Sequence, residues 1–595
     1  MKKSQSFKGK LRVGIAIGAL AIAAASAPKA SAGPANRRLG VNNRNGIRHV
    51  LLISIDGMHA LDFQNCSKGI AGVNGGSPYC PNLAALGDTG VNYLDTSTSK
   101  PSDSFPGLMA MVTGGSPRTV GAYYDVAYDR SLQPPATMTG NGLAAGSCTP
   151  GQSPTGTSTE YEEGIDIDQS QLNGGAPSGD GGVNSIDPAR LPRDPAHGCA
   201  PVEPYNFVRT NTIFGVVHHA GGYTAWADKH PAYVAVSGPG NGTNVDDFYG
   251  PEINSNSVAL PQVSILSCNP LPDQAAFLAG DDYTGSFQNI QCYDSLKVQA
   301  ILNQIDGKTH NGSASAPVPN IFGMNFQAVS VGQKLVYQDA MTVAPGYTIR
   351  GGYLDGIGTP SPSLLKEIEF ADNSIGLMTA ELRSRGLLDS TLIIISAKHG
   401  QSPIDPNRFF PIPGHSPLNN GQSPATILDA LLPASEAPSG GQIGPTEDDV
   451  SLLWLKDSSQ TASAVATLES MSPPTNNIAG IGEIFWGPAI GLIYNLPGLP
   501  PNGDPRTPDI VITPNIGVVY TGSKKKLAEH GGFAHDDTNV MMLLSNPSFS
   551  ARTITSPVET AQIAPTILSA LGLDPDQLQA VQLEHTQALP GLDLH

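Results

Sequence analysis

Residues 50–57 read VLLISIDG, and this stretch decides the fold. The run is apolar without polar alternation, which is typical of a strand buried on both faces of a parallel sheet. Asp56 ends the run and places a carboxylate at the carboxyl tip of the predicted strand. A second run, TLIII at residues 391–395, is soon followed by Lys398 and His399. Open α/β sheets bind ligands beyond the carboxyl ends of their strands, so these polar residues are candidates for a functional site.

The rest of the chain alternates predicted strands and helices, which indicates an α/β fold with a mostly parallel central sheet and helices on both faces. Large loop-rich insertions are expected at about 131–320 and 402–500. The further predicted elements are helices over 105–112, 363–386 (capped by Gly386) and 560–571, and strands over 509–513 and 540–544.

Composition narrows the functional class. The 595 residues include 33 Lys and Arg against 51 Asp and Glu, a net charge of −18. Such an acidic chain has no basic footprint, which excludes a general nucleic-acid binder. Its 67 Gly and 51 Pro predict many loops around a core that the length can bury easily.

Residues 1–32 are expected to be a bacterial export signal. A basic segment precedes the apolar residues 13–27, and Ala30-Ser31-Ala32 fits a cleavage site. The mature chain is then expected to start near Gly33, to be secreted or periplasmic, and to form one catalytic domain over 33–595. No later run has about 18 consecutive apolar residues, so no membrane span is expected after cleavage.

Export allows disulfide bonds, and the chain has six cysteines without a metal-binding spacing. Six cysteines permit fifteen pairings, and the sequence alone does not choose among them. The simplest pairing is local, because each bond then closes a Gly/Pro/Ser-rich loop. The local pairs are Cys66–Cys80, Cys148–Cys199 and Cys268–Cys292.

Five polar residues lie at predicted strand ends, loops and helix starts. Taken one at a time, each has an ordinary explanation as a turn or helix-cap residue. Together, and in this order along the chain, they favour one functional site. They are Asp56, Ser104 (before Phe-Pro), Asp355 (in DGIGT), His399 and His530 (in EHGG).

This ordered set resembles the alkaline phosphatase superfamily, nearest its type I phosphodiesterase/nucleotide pyrophosphatase branch. The resemblance covers about 50–130, 350–400 and 505–575, and further matches are RTPDIV at 506–511 and TAQIAPTIL at 560–568. It implies a secreted, metal-dependent phosphoric ester hydrolase that acts on a small-molecule phosphate ester through a phospho-enzyme intermediate.

The resemblance also implies roles for the five residues. In this family two ions, usually zinc, lie about 4 Å apart and clamp the attacking and leaving oxygens. Ser104 matches the nucleophile, whose hydroxyl is also expected to contact a metal ion, and Thr359 is a possible further ligand. Asp56 and His399 match ligands of the ion that activates it, while Asp355 and His530 match ligands of the second ion. His535 is the alternative to His530.

Two positions depart from the family pattern. Thr359 stands where the family has a histidine ligand, and Lys398 stands where it has an aspartate ligand. Three interpretations stay open. One ion remains and the Lys398 ammonium replaces the other charge, residues of the insertions complete the metal sites, or the site is inactive. One or two divalent ions are expected, most simply Zn²⁺, with Mn²⁺ or Ca²⁺ as alternatives.

Other polar residues are weaker candidates. Asp228 and Lys229 lie in a stretch that is expected to cap the site, although an exposed loop is the simpler interpretation. Asn325 and Gln327 have amides that suit a phosphoryl oxygen, yet a hydrogen bond to a local turn is expected. His59 is expected to support the ligands rather than to bind metal.

Two other functions compete with the hydrolase. A sulfatase would need an arginine two residues after the proline that follows its nucleophile, and Leu108 occupies that position. A non-catalytic binding protein on the same fold would explain Thr359 and Lys398. The sequence decides neither monoester against diester substrates nor the oligomeric state.

Overall fold

The central strand of the fold is the one predicted from VLLISI. A computed structural model describes residues 45–161, 182–254, 268, 271–274, 276, 282–337, 343–412, 422–438, 446–470, 480–592 and 594. The predicted export signal and parts of both predicted insertions lie outside these ranges.

The described strands, in chain order, are β1 His49–Ile55, β2 Gly90–Tyr93, β3 Thr96–Ser97, β4 Val126–Asp129, β5 Thr157–Glu160, β6 Arg193–Asp194, β7 Ala200–Pro201, β8 Ala225–Ala227, β9 Asp247–Tyr249, β10 Ile321–Phe326, β11 Thr391–Ser396, β12 Phe410–Ile412, β13 Thr446–Glu447, β14 Ser451–Leu453, β15 Ile481–Trp486, β16 Ile510–Pro514, β17 Val518–Tyr520, β18 Met542–Ser545, β19 Arg552–Ile554 and β20 Val558–Glu559.

The described α-helices are α1 Ala60–Lys68, α2 Pro81–Gly87, α3 Ser104–Thr113, α4 Pro117–Val120, α5 Pro204–Phe207, α6 Ile213–His219, α7 Phe287–Ile305, α8 Ala328–Lys334, α9 Pro362–Ser384, α10 Pro424–Ile427, α11 Thr461–Ser470, α12 His535–Thr538, α13 Ile563–Ala570 and α14 Gln579–Glu584. The predicted helices over 105–112, 363–386 and 560–571 are therefore confirmed as α3, α9 and α13.

The large sheet has eight strands in the order β19-β2-β18-β11-β1-β10-β8-β9. Strand β1 pairs in parallel with β10 and β11, and β10 pairs in parallel with β8. Strand β18 runs antiparallel to both of its neighbours. The sheet is thus mixed and mostly parallel, and the carboxyl ends of β11, β1, β10 and β8 meet along one edge.

Helices cover both faces of this sheet, as the sequence predicts. Leu51 and Ile53 of β1 pack into the core under α7 and α9, whereas Val50 and Leu52 pack into the core under α3 and α13. Because side chains alternate between the faces of a strand, a run of consecutive apolar residues is what two covered faces require.

Parts of the two predicted insertions form strands instead of loops. The strand predicted over 509–513 is present as β16, but it belongs to a separate four-stranded sheet, β13-β14-β16-β15, instead of the central one. Conversely, β8 and β9 lie inside the range 131–320 and are strands of the central sheet. Each has only three residues, too few to show as an apolar run in a Gly- and Pro-rich segment.

Three disulfide bonds join Cys66 to Cys80, Cys148 to Cys199 and Cys268 to Cys292, which confirms the local pairing. Within the described residues, no helix combines the length and the apolar composition needed to cross a bilayer.

Candidate active site

The site lies where four neighbouring parallel strands end. Asp56 follows β1, His399 lies three residues beyond β11, Asn325 is near the end of β10, and Lys229 lies two residues beyond β8. Register places Ser54 beside both Asn325 and Ser396, so these strand ends are level with one another. The topology therefore brings together residues that are far apart in the sequence.

Ser104 enters the site from the first turn of α3. Asp103 caps this helix by accepting the amide of Phe105 at 3.2 Å. The Ser104 hydroxyl oxygen lies 3.1 Å from His399 Nε2 and 3.0 Å from Lys229 Nζ. It also lies 3.5 Å from Asp56 Oδ2. The predicted nucleophile is thus in contact with a base, an ammonium and a carboxylate.

The tautomer of His399 follows from its other nitrogen. Nδ1 lies 2.9 Å from the backbone carbonyl of Gly400. A carbonyl only accepts hydrogen bonds, so Nδ1 carries the proton in the neutral ring and Nε2 has a free lone pair. That lone pair faces the Ser104 hydroxyl, which is the arrangement of a nucleophile with its general base.

Asp56 is fully buried and accepts several hydrogen bonds on one oxygen. Oδ2 accepts from Gln327 Nε2 at 2.6 Å and from Asn325 Nδ2 at 3.2 Å. Burial alone would raise the pKa of Asp56, but the positive charge of the neighbouring Lys398 holds that pKa well below its usual value. Asp56 therefore stays ionised. The Asn325 and Gln327 amides bind its carboxylate and not the local turn that the sequence predicts.

Lys398 points into the site. Its ammonium lies 3.4 Å from Asp56 Oδ2 and 3.3 Å from Asp228 Oδ1, and 4.5 Å from the ring centre of Tyr233. No part of the side chain is exposed. Two carboxylates and an aromatic face compensate a charge that would otherwise be too costly to bury.

His530 packs against His399, with 4.1 Å between the ring centres. Its Nδ1 lies 3.4 Å from Asp103 Oδ1. Burial lowers the pKa of His530 well below its usual value. His530 is therefore a neutral ring at the border of the site.

The structure does not bring Asp355, Thr359 and His535 to this cluster. Asp355 lies in a partly exposed turn, where its carboxylate accepts the Thr359 hydroxyl at 2.7 Å and the amides of Ile357 and Thr359. These local bonds are those of an Asx-type turn, which satisfies the carboxylate without a metal. His535 is exposed at the start of α12.

Sequence reasoning undervalued Lys229 and its neighbour Asp228. Their signal was present, because two charged residues directly follow the apolar residues Ala225–Ala227. The strand itself was too short to recognise, so the pair was interpreted as part of a surface loop. The His59 ring lies 2.9 Å from Asp62 Oδ2 and 2.9 Å from the backbone carbonyl of Gln401, two residues beyond His399.

The type I phosphodiesterase/nucleotide pyrophosphatase family model matches residues 50–149 and 352–536. The chain is similar to this family over these two segments, which together make just under half of its length. An inactive variant of murine ectonucleotide pyrophosphatase/phosphodiesterase 5, in complex with AMP, is 14% identical and superposes with a TM-score of 0.50 over 89% of this chain and 96% of that chain. Wild-type alkaline phosphatase PafA is 12% identical and superposes with a TM-score of 0.50 over 89% of this chain and 96% of that chain. These likenesses show the fold, and no curated protein matches this sequence.

Members of this family are typically metal-dependent, yet the side chains present here do not fit a centre of two divalent ions. Within the described ranges, no three His, Cys, Asp or Glu side chains are gathered as such a centre requires. Asp355 is outside the cluster, and the Lys398 ammonium contacts the Asp56 oxygen that would bind an ion. The Lys398 ammonium and an ion bound to this oxygen would repel each other.

Proposed function

We propose that this protein is a hydrolase of the phosphodiesterase/pyrophosphatase type, is exported and cleaves small phosphate esters with Ser104 as the nucleophile, through a phosphoserine intermediate. The observation that carries the proposal is the 3.1 Å contact between the Ser104 hydroxyl and the free lone pair of His399 Nε2. The AMP bound to the murine relative supports a nucleotide-type phosphate ester as the substrate class.

The reaction follows from the contacts of Ser104. Its oxygen attacks phosphorus as His399 Nε2 takes the hydroxyl proton, the bond from phosphorus to the leaving oxygen breaks, and that oxygen departs with a proton from water. The new imidazolium lies 3.5 Å from Asp56 Oδ2, which stabilises it. The hydroxide left by that water takes the imidazolium proton, so His399 becomes neutral again. A second water then attacks the phosphoserine as His399 Nε2 takes one of its protons, the bond from phosphorus to the Ser104 oxygen breaks, and His399 returns the proton to that oxygen.

The first turn of α3 has little to offer the phosphoryl oxygens. The Phe105 amide donates to Asp103, Pro106 has no amide hydrogen, and the Gly107 amide donates to the Asp103 carbonyl at 2.8 Å. Side chains must therefore stabilise the charge that develops on the phosphoryl oxygens. The Lys229 ammonium, which contacts the Ser104 oxygen, is in position to do so.

The test replaces the nucleophile and looks for the intermediate. In Ser104→Ala, turnover of phosphodiester and phosphomonoester reporters should fall at least about a thousandfold, the scale for losing an essential nucleophile. Stopped reactions of the wild type should yield a peptide phosphorylated on Ser104 by mass spectrometry. Ser384→Ala removes an exposed hydroxyl from the end of α9 and serves as the matched control. Near-normal turnover in Ser104→Ala contradicts the proposal.

A non-catalytic binding protein is the second candidate, because Lys398 takes the place of an acidic ligand and because Asp355 and Thr359 bond to each other away from the cluster. The same reporters decide between the two, because a binding protein turns over no ester although it still binds phosphate-type anions.

Export is tested separately. The three disulfide bonds support an oxidising compartment. Secreted material should begin near Gly33, and N-terminal sequencing that finds residues 1–25 retained would contradict cleavage.

A further inference from the structure

Two buried ammonium groups lie where phosphoryl transfer needs positive charge. Lys229 Nζ contacts the Ser104 oxygen at 3.0 Å, and Lys398 Nζ lies 3.4 Å from Asp56 Oδ2. Only 8% of Lys229 is exposed, and none of Lys398 is. A phosphoryl group bound against Ser104 would therefore contact the Lys229 ammonium directly.

Asp56 has no free lone pair on Oδ2, the oxygen that lies next to Lys398. Its Oδ2 accepts the Gln327 and Asn325 amides, and a carboxylate oxygen has two lone pairs. An ion bound to this oxygen would have to displace two amide donors that are themselves buried. The buried donors would then lack acceptors, which opposes the exchange.

Asp228 links the two lysines. Its Oδ1 accepts both the Lys398 ammonium at 3.3 Å and the backbone amide of Lys229 at 2.8 Å. The turn after β8 and the strand end after β11 are thus joined by one carboxylate. Because both ammonium groups are held by buried partners, their charges are fixed in place before any ligand arrives, which is the condition for electrostatic catalysis.

We propose that Lys229 and Lys398 replace the two divalent ions, so that this site binds a phosphoryl group without a metal. Lys229 contacts the phosphoryl oxygens and the attacking Ser104 oxygen, and Lys398 adds positive charge next to Asp56. The inference rests on the proposed function for the identity of the ligand. A lysine suits this role because its ammonium binds phosphate as a point charge.

The experiment measures anion binding in metal-free protein. The intact chain is dialysed against a chelator, its metal content is determined by mass spectrometry, and orthovanadate is titrated by calorimetry. The variants are Lys229→Met, Lys229→Arg and Lys398→Met, and the matched control is Lys308→Met, an exposed lysine whose partner is Asp306. Thermal unfolding establishes that each variant is folded.

Metal-free wild type should bind orthovanadate, and Lys308→Met should bind it equally well. Lys229→Met should bind about tenfold to a hundredfold more weakly, the scale of one charge-assisted contact, while Lys229→Arg retains most of the affinity. If Lys398→Met does not fold, Lys229→Met decides alone, since the Lys229 ammonium is the one that contacts the Ser104 oxygen. Unchanged affinity in Lys229→Met, or binding that disappears on chelation and returns with zinc, overturns the proposal.

Failure of this inference is distinct from failure of the proposed function. Ser104-dependent hydrolysis that requires added zinc would support the proposed hydrolase and contradict the proposed role of the two lysines. Metal-free binding that depends on Lys229, without turnover of any ester, would support the proposed role of the two lysines and contradict the proposed hydrolase.

Discussion

Gly107→Ala should reduce activity far more than stability alone explains. Gly107 lies in α3, three residues after Ser104, where the helix presses against the strand end that carries Lys398. A Cβ atom at position 107 would lie 2.1 Å from the Lys398 carbonyl oxygen and 2.8 Å from its carbonyl carbon. Both are backbone atoms, so no side-chain rotation relieves the overlap.

The structure gives the size of the effect. Ordinary contact begins at 3.4 Å, so the helix and the strand end must separate by about 1.3 Å. Ser104 moves with the helix and His399 with the strand end, so their 3.1 Å contact lengthens beyond hydrogen-bonding distance. A misplacement of about 1 Å costs on the order of a hundredfold in rate, which is the expected loss in kcat/KM.

Gly87→Ala provides the matched control. Gly87 is also a helical glycine, in α2, but its nearest neighbour to a new Cβ is a side-chain atom of Phe63 at 3.8 Å. This variant should keep full activity and unfold at an equal or slightly higher temperature. The assay is kcat/KM on a chromogenic phosphodiester together with the melting temperature. Full activity in Gly107→Ala would refute the close approach of α3 to Lys398.

Three further results are expected. Lys398→Asp alone should not create a tight zinc site, because the Lys229 ammonium remains; the double variant with Lys229→Ala should bind more zinc by elemental analysis. Replacing both Cys148 and Cys199 by serine should cost about 4 kcal/mol in urea unfolding, the loop-entropy value for a bond that spans 51 residues. Burial raises the pKa of Glu436 to about 7, so the folded state binds more protons than the unfolded state between about pH 4.5 and 7, and stability falls as pH rises through that window. Glu436→Gln should remove about 3 kcal/mol of that fall, measured as the difference between unfolding at pH 5 and at pH 8.

The sequence was sufficient for the parts of the fold that leave long patterns. Strand β1 and helix α9 are long, apolar in the correct period and bounded by clear end signals, so they were predictable. Strand β8 has three residues and no such pattern, because its place in the sheet comes from pairing with β10. Pairing between distant segments has no local signature, and this is why part of the central sheet was interpreted as an insertion.

The same distinction applies to the site. Asp56, Ser104 and His399 follow or begin recognisable elements, and the structure brings them together as the sequence predicts. Asp355 has the motif of a ligand, but its own turn satisfies the carboxylate. Lys229 follows an apolar run of only three residues, and its position in the site becomes apparent only when the order of the strands is known.

The charges of the site also bear on the substrate. The carboxylates of Asp56 and Asp228 balance the ammonium groups of Lys229 and Lys398, and Asp103 adds another acidic group beside His530. A site without excess positive charge stabilises a singly charged phosphodiester at less cost than a doubly charged phosphomonoester, because each uncompensated charge brought out of water is expensive. We therefore expect kcat/KM for a diester reporter to exceed that for the monoester with the same leaving group at pH 8. Because the leaving group is shared, the ratio reports the charge of the transferred group, and a preference for the monoester would mean that further positive charge reaches the bound substrate.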